Sequence, residues 1–317
     1  MTSKIVRAAM PAAFIILVAC TFAHHAQRSA GQPAARKRAQ LTVTDDLGRR
    51  MTFTLPIRRV VSFSPGATEI AFAVGAGTKL VGDTTYCDYP PAARDLPHVG
   101  GLIDQDIEKV IALRPDVIIT ADELVDRSAA TQIERKYGVP VYVMAADTYT
   151  GVERDVVSLG SFIGDVAATR ETTQRMDAAR DRVRQAITGL PIKSAFMVIW
   201  PKPLMTAGKD TFIADLIALA GGDNVANTKA NFDQYPTERL VRDDPDVLLT
   251  TASCDHVMPT RLPDLSGLDL KAIKLRHIYA VPEDWLIKPG PRLALGLQAL
   301  ARVLHPDAFS GQEASGN

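Results

Sequence analysis

The 317-residue sequence predicts an α/β protein of two similar lobes, each a parallel sheet covered by helices, joined by one long helix. Three observations predict it. The run from Glu108 to Thr120 (EKVIALRPDVIIT) recurs from Glu238 to Thr250 (ERLVRDDPDVLLT), with the same step from Glu to Pro. Short β-branched runs alternate with helical periodicity, the order that builds parallel sheets with both faces covered. Residues 150–190 hold few turn signals and keep apolar residues at helical spacing, among them Val152, Val156, Leu159, Met176 and Val183. A helix of about 40 residues would be roughly 60 Å long.

Read from the N-terminus, Lys4 and Arg7 precede an apolar run from Ala8 to Ala19, too short for the roughly 20 residues that cross a bilayer and therefore an export signal. It ends in Leu17-Val18-Ala19-Cys20, which resembles the lipobox of bacterial lipoproteins and implies a lipidated Cys20. Residues 1–20 are thus read as a signal peptide and 21–40 as a flexible tether, rich in Ala, Gln and Arg and without apolar periodicity.

The N-terminal lobe spans 41–149. Leu41 to Val43 and Met51 to Thr54 flank Asp45-Asp46-Leu47-Gly48, a β-hairpin signal. Arg59 to Phe63 reads as a strand, Thr68 to Val74 as a helix and Leu80 to Thr84 as a strand. Ile107 to Leu113 follows as a helix, Val117 to Thr120 as a strand, Ala129 to Tyr137 as a helix and Val141 to Met144 as a strand. After the linking helix (150–190), the C-terminal lobe (191–317) repeats the plan. Ala195 to Trp200, Val247 to Thr250 and His277 to Val281 are strands; Phe212 to Leu219, Thr237 to Val241 and Pro291 to Leu304 are helices.

Lys+Arg and Asp+Glu both number 36, a balance that argues against nucleic acid, which selects a basic excess. Six of the basic residues and none of the acidic ones lie in 1–40, leaving 30 basic against 36 acidic beyond it. The folded part is mildly acidic. No CxxC, HExxH, GxSxG or GxxxxGK[ST] occurs, so the common signatures of redox, hydrolytic and nucleotide chemistry are missing. A binding protein is expected rather than an enzyme, with no cofactor.

Ligands of open parallel sheets bind beyond the carboxyl ends of the strands, and between domains. The residues at those positions include Ser64, Tyr86 to Pro91, Ala121-Asp122-Glu123, Trp200 to Pro203, Cys254-Asp255-His256 and Glu283-Asp284-Trp285. They are rich in aromatic and polar groups, with Lys202 and Lys288 the only basic candidates. Cys87 and Cys254 fall on cleft-side loops, one per lobe, and outside the cytoplasm can pair as a disulfide. His256 can reach an axial position on a metal centre.

Val60 to Ile70 (VVSFSPGATEI), Thr85 to Pro91 (TYCDYPP), Val99-Gly100-Gly101 and the repeated Glu-to-Pro-Asp motif together resemble the class III periplasmic binding proteins of vitamin B12 and ferric-chelate uptake, most nearly the cobalamin-binding branch. The resemblance implies two Rossmann-like lobes, little hinge motion, and a monomer that delivers a corrinoid to the permease and ATPase of an ABC transporter. It implies a periplasmic or cell-surface location, with the membrane reached only through the lipid anchor. It also places Tyr86 against the corrin ring, Asp284 and Trp285 on its amides, Phe232 in the pocket, and Glu108 and Glu238 on the permease. Haem or a ferric siderophore is the alternative cargo. A metal chelatase- or reductase-like enzyme, using Asp88, Asp122, Asp255 and His256, is the alternative of another class.

Overall fold

A computed structural model describes residues 39–121, 125–228, 233–251 and 263–310. Strands β1 (Gln40–Thr44) and β2 (Arg50–Thr54) form the expected antiparallel hairpin. The N-terminal lobe continues through β3 (Val60–Ser62), α1 (Pro65–Ala73), β4 (Leu80–Gly82), α2 (Ile107–Ala112), β5 (Val117–Ala121), α3 (Arg127–Tyr137) and β6 (Val141–Met144). Its sheet is parallel, in the order β4-β3-β5-β6.

Two helices follow, α4 (Tyr149–Phe162) and α5 (Val166–Ile187). The second lobe is built on β7 (Lys193–Val198), β10 (Gly222–Asn224), β12 (Val247–Thr251) and β13 (Ile278–Val281), in the parallel order β10-β7-β12-β13. Around them lie α6 (Phe212–Leu219), α7 (Thr237–Asp243), the short α8 (Pro263–Ser266) and α9 (Lys271–Lys274), and α10 (Leu293–Leu304). Each four-stranded sheet therefore has its first strand inside and its second at the edge, so the sequence repeat is a repeat of topology.

The repeated Pro-Asp pair has a structural cause in both lobes. Asp116 accepts the amides of Arg58 and Arg59 at 2.8 and 3.0 Å, tying the entrance of β5 to that of β3. Asp246 does the same between β12 and β7, accepting the Ser194 amide and hydroxyl at 2.8 and 2.7 Å. Two residues ahead, Arg114 and Asp244 both have positive φ, 46° and 37°. Burial alone would raise the Asp246 carboxyl, but Ser194 and Lys271 hold it down to about 2.

Alternation along the strands sorts the interior. Val60, Val117 and Ile119 face one core together with Ala195, Met197, Val247 and Leu249 from the other sheet. The opposite faces form a separate core in each lobe, around Val61, Ile118 and Val143 and around Phe196, Val198 and Leu248. The shared core includes Met176, Ala179 and Val183 of α5 and Leu293, Leu297, Leu300 and Leu304 of α10. Burying a leucine contributes about 1.5–3 kcal/mol, so separating the lobes would expose a common interior. Large hinge motion is disfavoured for that reason.

The single linking helix of about 40 residues is corrected to two. α4 stops at Phe162, and Asp165 caps α5 by accepting the amides of Ala167 and Ala168 at 2.9 and 3.0 Å. Gly164 sits in the break, where a Cβ would come within 2.7 Å of Gly160 Cα and 2.9 Å of Val74 O. α5, at 22 residues about 33 Å long, touches α1 and α4 on one side and α6 and α10 on the other. The sequence also did not suggest a small antiparallel sheet of β8 (Trp200–Pro201), β9 (Leu204–Thr206) and β11 (Asp233–Gln234).

Candidate functional site

The loop after β4 carries the first candidate. The Cys87 amide donates to Thr84 O at 3.0 Å, and its buried thiol lies 3.1 Å from Thr68 Oγ1 and 3.3 Å from Thr84 Oγ1. With Cys87 turned inward, Tyr86 beside it is turned out, 57% exposed. The Cys87 thiol is free, held by two threonines inside the lobe, and burial pushes its pKa up; Cys254, with which a bridge was expected, lies outside the described residues. Below the loop, His98 Nδ1 lies 2.8 Å from Asp83 Oδ1, and burial raises the Asp83 carboxyl to about 6 against the pull of His98.

In the neighbouring loop, opened by the Val99-Gly100-Gly101 motif, the apolar pair Leu102-Ile103 went unnoticed in the sequence. Thr85 donates to Gly100 O at 3.0 Å, Asp106 donates to Val99 O at 2.7 Å, and the Tyr137 hydroxyl donates to Gln105 O at 3.2 Å. Held at these points, the loop carries Leu102 and Ile103 into solvent, Ile103 being 94% exposed. Its signal was two adjacent apolar residues between Gly-Gly and Asp in an otherwise polar turn. With Tyr86 they supply apolar surface on the N-terminal lobe.

From the other lobe comes the segment between β13 and α10. Pro289 O lies so near α1 that a Cβ on Gly66 would stand 2.6 Å from it. Arg292 makes a bidentate pair with Glu69, at 2.5 and 2.9 Å, and reaches Asp284 at 3.3 Å. Its guanidinium carbon lies 4.0 Å from the centroid of the Tyr89 ring, a cation–π geometry. Lys288 lies 2.7 Å from Asp284 and 3.0 Å from Asp88. Burial pushes the Glu69 carboxyl up and Arg292 opposes it; at Asp284 the two cations outweigh burial and lower the carboxyl. Asp88 and Glu69 thus connect the first lobe to the segment carrying Asp284 and the half-buried Trp285. The spacing of Asp284, Lys288 and Arg292 by fours was the sequence signal of this cluster.

Trp200, exposed on β8, donates from Nε1 to Lys202 O at 3.0 Å. The turn after it, with Gln234 to Thr237 and Leu265, lines a cavity of about 590 Å³ that includes Pro203, Leu204 and Tyr235. Ser64 is corrected to a structural role. It is buried at the start of α1, where its hydroxyl accepts the amides of Ala121 at 2.7 Å and Ala67 at 3.4 Å. Glu108 and Glu238 lie in the first turns of α2 and α7, both exposed. The Asp88–Lys288 contact joins the loop that carries Tyr86 to the segment that carries Asp284 and Trp285. Phe232, His256, Cys254, Asp122, Asp255, Cys20 and the tether up to residue 38 lie outside the described residues; Gln40, assigned to the tether, opens β1.

The model of the family described as periplasmic binding protein matches residues 60–285. An uncharacterized ABC transporter substrate-binding lipoprotein, YvrC, of Bacillus subtilis is 28% identical over 276 residues, 85% of this chain and 87% of that one. The vitamin B12-binding protein of Vibrio parahaemolyticus is 30% identical over 249 residues, 75% and 86% of the two chains. In fold, the periplasmic vitamin B12 binding protein BtuF of Vibrio cholerae superposes with a TM-score of 0.69 at 24% identity, covering 80% of this chain and 98% of that one. With two matched parallel sheets, a linking helix that touches both lobes and a family match across most of the chain, the protein belongs to the periplasmic binding protein family, in the class III group of ABC importers.

Proposed function

We propose that the protein captures a corrinoid of the vitamin B12 type between its lobes, outside the cytoplasm, and delivers it to an ABC permease. The observation that carries this reading is Tyr86, whose ring is exposed while Cys87 beside it turns inward, on the loop whose Asp88 pairs with Lys288 of the segment bearing Asp284 and Trp285. A corrin offers a broad apolar face fringed by amides, which suits an exposed ring next to short polar groups. The vitamin B12-binding relative favours the same cargo. Cys20 is proposed as the lipid-bearing residue.

The enzyme alternative loses support at Asp88, whose carboxylate is engaged by Lys288. Titrating the purified protein with cyanocobalamin, haemin and a ferric siderophore, by visible absorbance and calorimetry, separates the cargoes. Saturable binding of cyanocobalamin is expected; no heat or spectral change at micromolar concentration would exclude it. Tyr86→Ala should weaken that binding by about 1–3 kcal/mol, and unchanged affinity would remove Tyr86 from the pocket.

Glu108 and Glu238 are proposed as the permease contacts, one at the same corner of each lobe. Exposed charges so placed set orientation and association rate more than affinity. The double variant Glu108→Ala, Glu238→Ala should keep cargo affinity and lose most uptake; normal uptake would refute the docking role.

A further inference from the structure

The two cations between the lobes are fully engaged, and two of the carboxylates that engage them, Asp88 and Asp284, are partly exposed. Arg292 uses Nε and Nη2 on Glu69 and Nη1 on Asp284, with Tyr89 against its guanidinium. Lys288 bridges Asp88 and Asp284. Their side chains are 11% and 16% exposed, whereas those of Asp284 and Asp88 are 41% and 49% exposed. Glu283 adds a further carboxyl that senses Asp284 and Lys288. Four carboxyls therefore surround two cations. A further cation on the first lobe's loop, the exposed Arg94, donates its Nε to the carbonyl of Asp88.

We propose that this cluster is a charge filter, with Asp88 the specificity-determining residue: by occupying Lys288 it makes the space between the lobes select an uncharged, amide-rimmed ring over the same ring rimmed with carboxylates. The inference rests on the corrinoid reading above and narrows it. An anionic group arriving here must displace Asp88 or Asp284 from Lys288, which exchanges one ion pair for another and leaves a carboxylate unpaired beside it. An amide meets no such cost, because it can donate to the half-exposed carboxylate of Asp88 without disturbing its pair with Lys288. Like charges brought together at a recognition surface are a general means of rejecting a wrong partner.

The test uses two probes with one ring, dicyanocobyrinic acid and its heptaamide, titrated by calorimetry into the full chain and two variants. The parent protein should bind the heptaamide at least 100-fold more tightly. Asp88→Asn, which leaves Lys288 to Asp284 alone, should shrink that ratio roughly tenfold, and Lys288→Gln, which leaves Asp88 uncompensated, should widen it by a similar factor. A cluster that merely holds the lobes together would change both affinities alike in each variant. That outcome, or a parental ratio near one, overturns the filter while leaving the cargo reading intact. Binding of neither ring overturns the cargo reading and the filter with it. If one variant does not fold, judged by circular dichroism, the opposite-signed shift expected of the other still decides.

Discussion

Arg292→Met is expected to destabilise the protein by about 3–5 kcal/mol, because it leaves a buried carboxylate without its partner. Glu69 is almost entirely buried, and the bidentate pair supplies most of what replaces water around it. Without the guanidinium, burial would push the carboxyl further up and drive it to take a proton. Two more contacts disappear with Arg292: the one to Asp284 and the one to Tyr89. Because the pair joins α1 of the first lobe to the start of α10, the loss falls on the junction between lobes. Urea denaturation at pH 7 measures it. Adding Glu69→Leu to Arg292→Met should restore part of the loss, since the uncompensated charge is then gone. A single-variant effect below about 1 kcal/mol would mean that the pair behaves as a surface ion pair.

The second large effect depends on pH and lies in α4. Asp155 is buried in α4, where burial first, and then the charge and hydrogen bond of Asp46, push its carboxyl up to about 9, with Arg154 only partly opposing. Asp46 itself accepts the Ala145 amide at 2.8 Å. Since the folded value lies above the unfolded one, the stabilising contribution of this proton is complete below about pH 4 and is lost as pH rises toward 9. Each pH unit between the two titrations is worth about 1.4 kcal/mol, so the penalty at pH 7 is on the order of 4 kcal/mol. Asp155→Asn keeps a donor toward Asp46 without needing a proton. The variant should be near parental stability at about pH 4 and increasingly more stable from there to pH 8. A stability difference that stays constant across that range would show that Asp155 is ionised in the folded protein.

Local chemistry was enough to read the strands of the first sheet and three of the four in the second, the edge strand β10 excepted. β3, β5, β7 and β12 each hold a short run buried on both faces, which shows directly as consecutive apolar residues (Val60-Val61, Val117 to Ile119, Ala195 to Val198, Val247 to Leu249), and the αL residue, proline and aspartate that open β5 and β12 recur in the same order. The break in the linking segment was harder to read, because it depends on Gly160 and Gly164 meeting residues of α5 and Val74 across a helix crossing. Helical spacing carries no record of what lies on the other side. The small sheet of β8, β9 and β11 escaped for a similar reason: two- and three-residue strands have too few positions to show a period.

The site divides along the same line. Tyr86 was legible because an aromatic after a strand end is a local signal, and its exposure follows from Cys87 turning inward one residue later. Ser64 sits in an equally suggestive place, yet its hydroxyl is taken by the amide of Ala121, a partner 57 residues away. The charged cluster joins Glu69 to Arg292 across 223 residues and Asp88 to Lys288 across 200. By itself, then, the sequence determined the α/β class, the doubling of the lobes and the aromatic loop, since each rests on periodicity or turn chemistry within a few residues. Which acids meet which bases, and whether a polar side chain faces cargo or caps a helix, was decided only in the tertiary structure, because a charge or hydroxyl acquires its role from the partner that packing brings within about 3 Å.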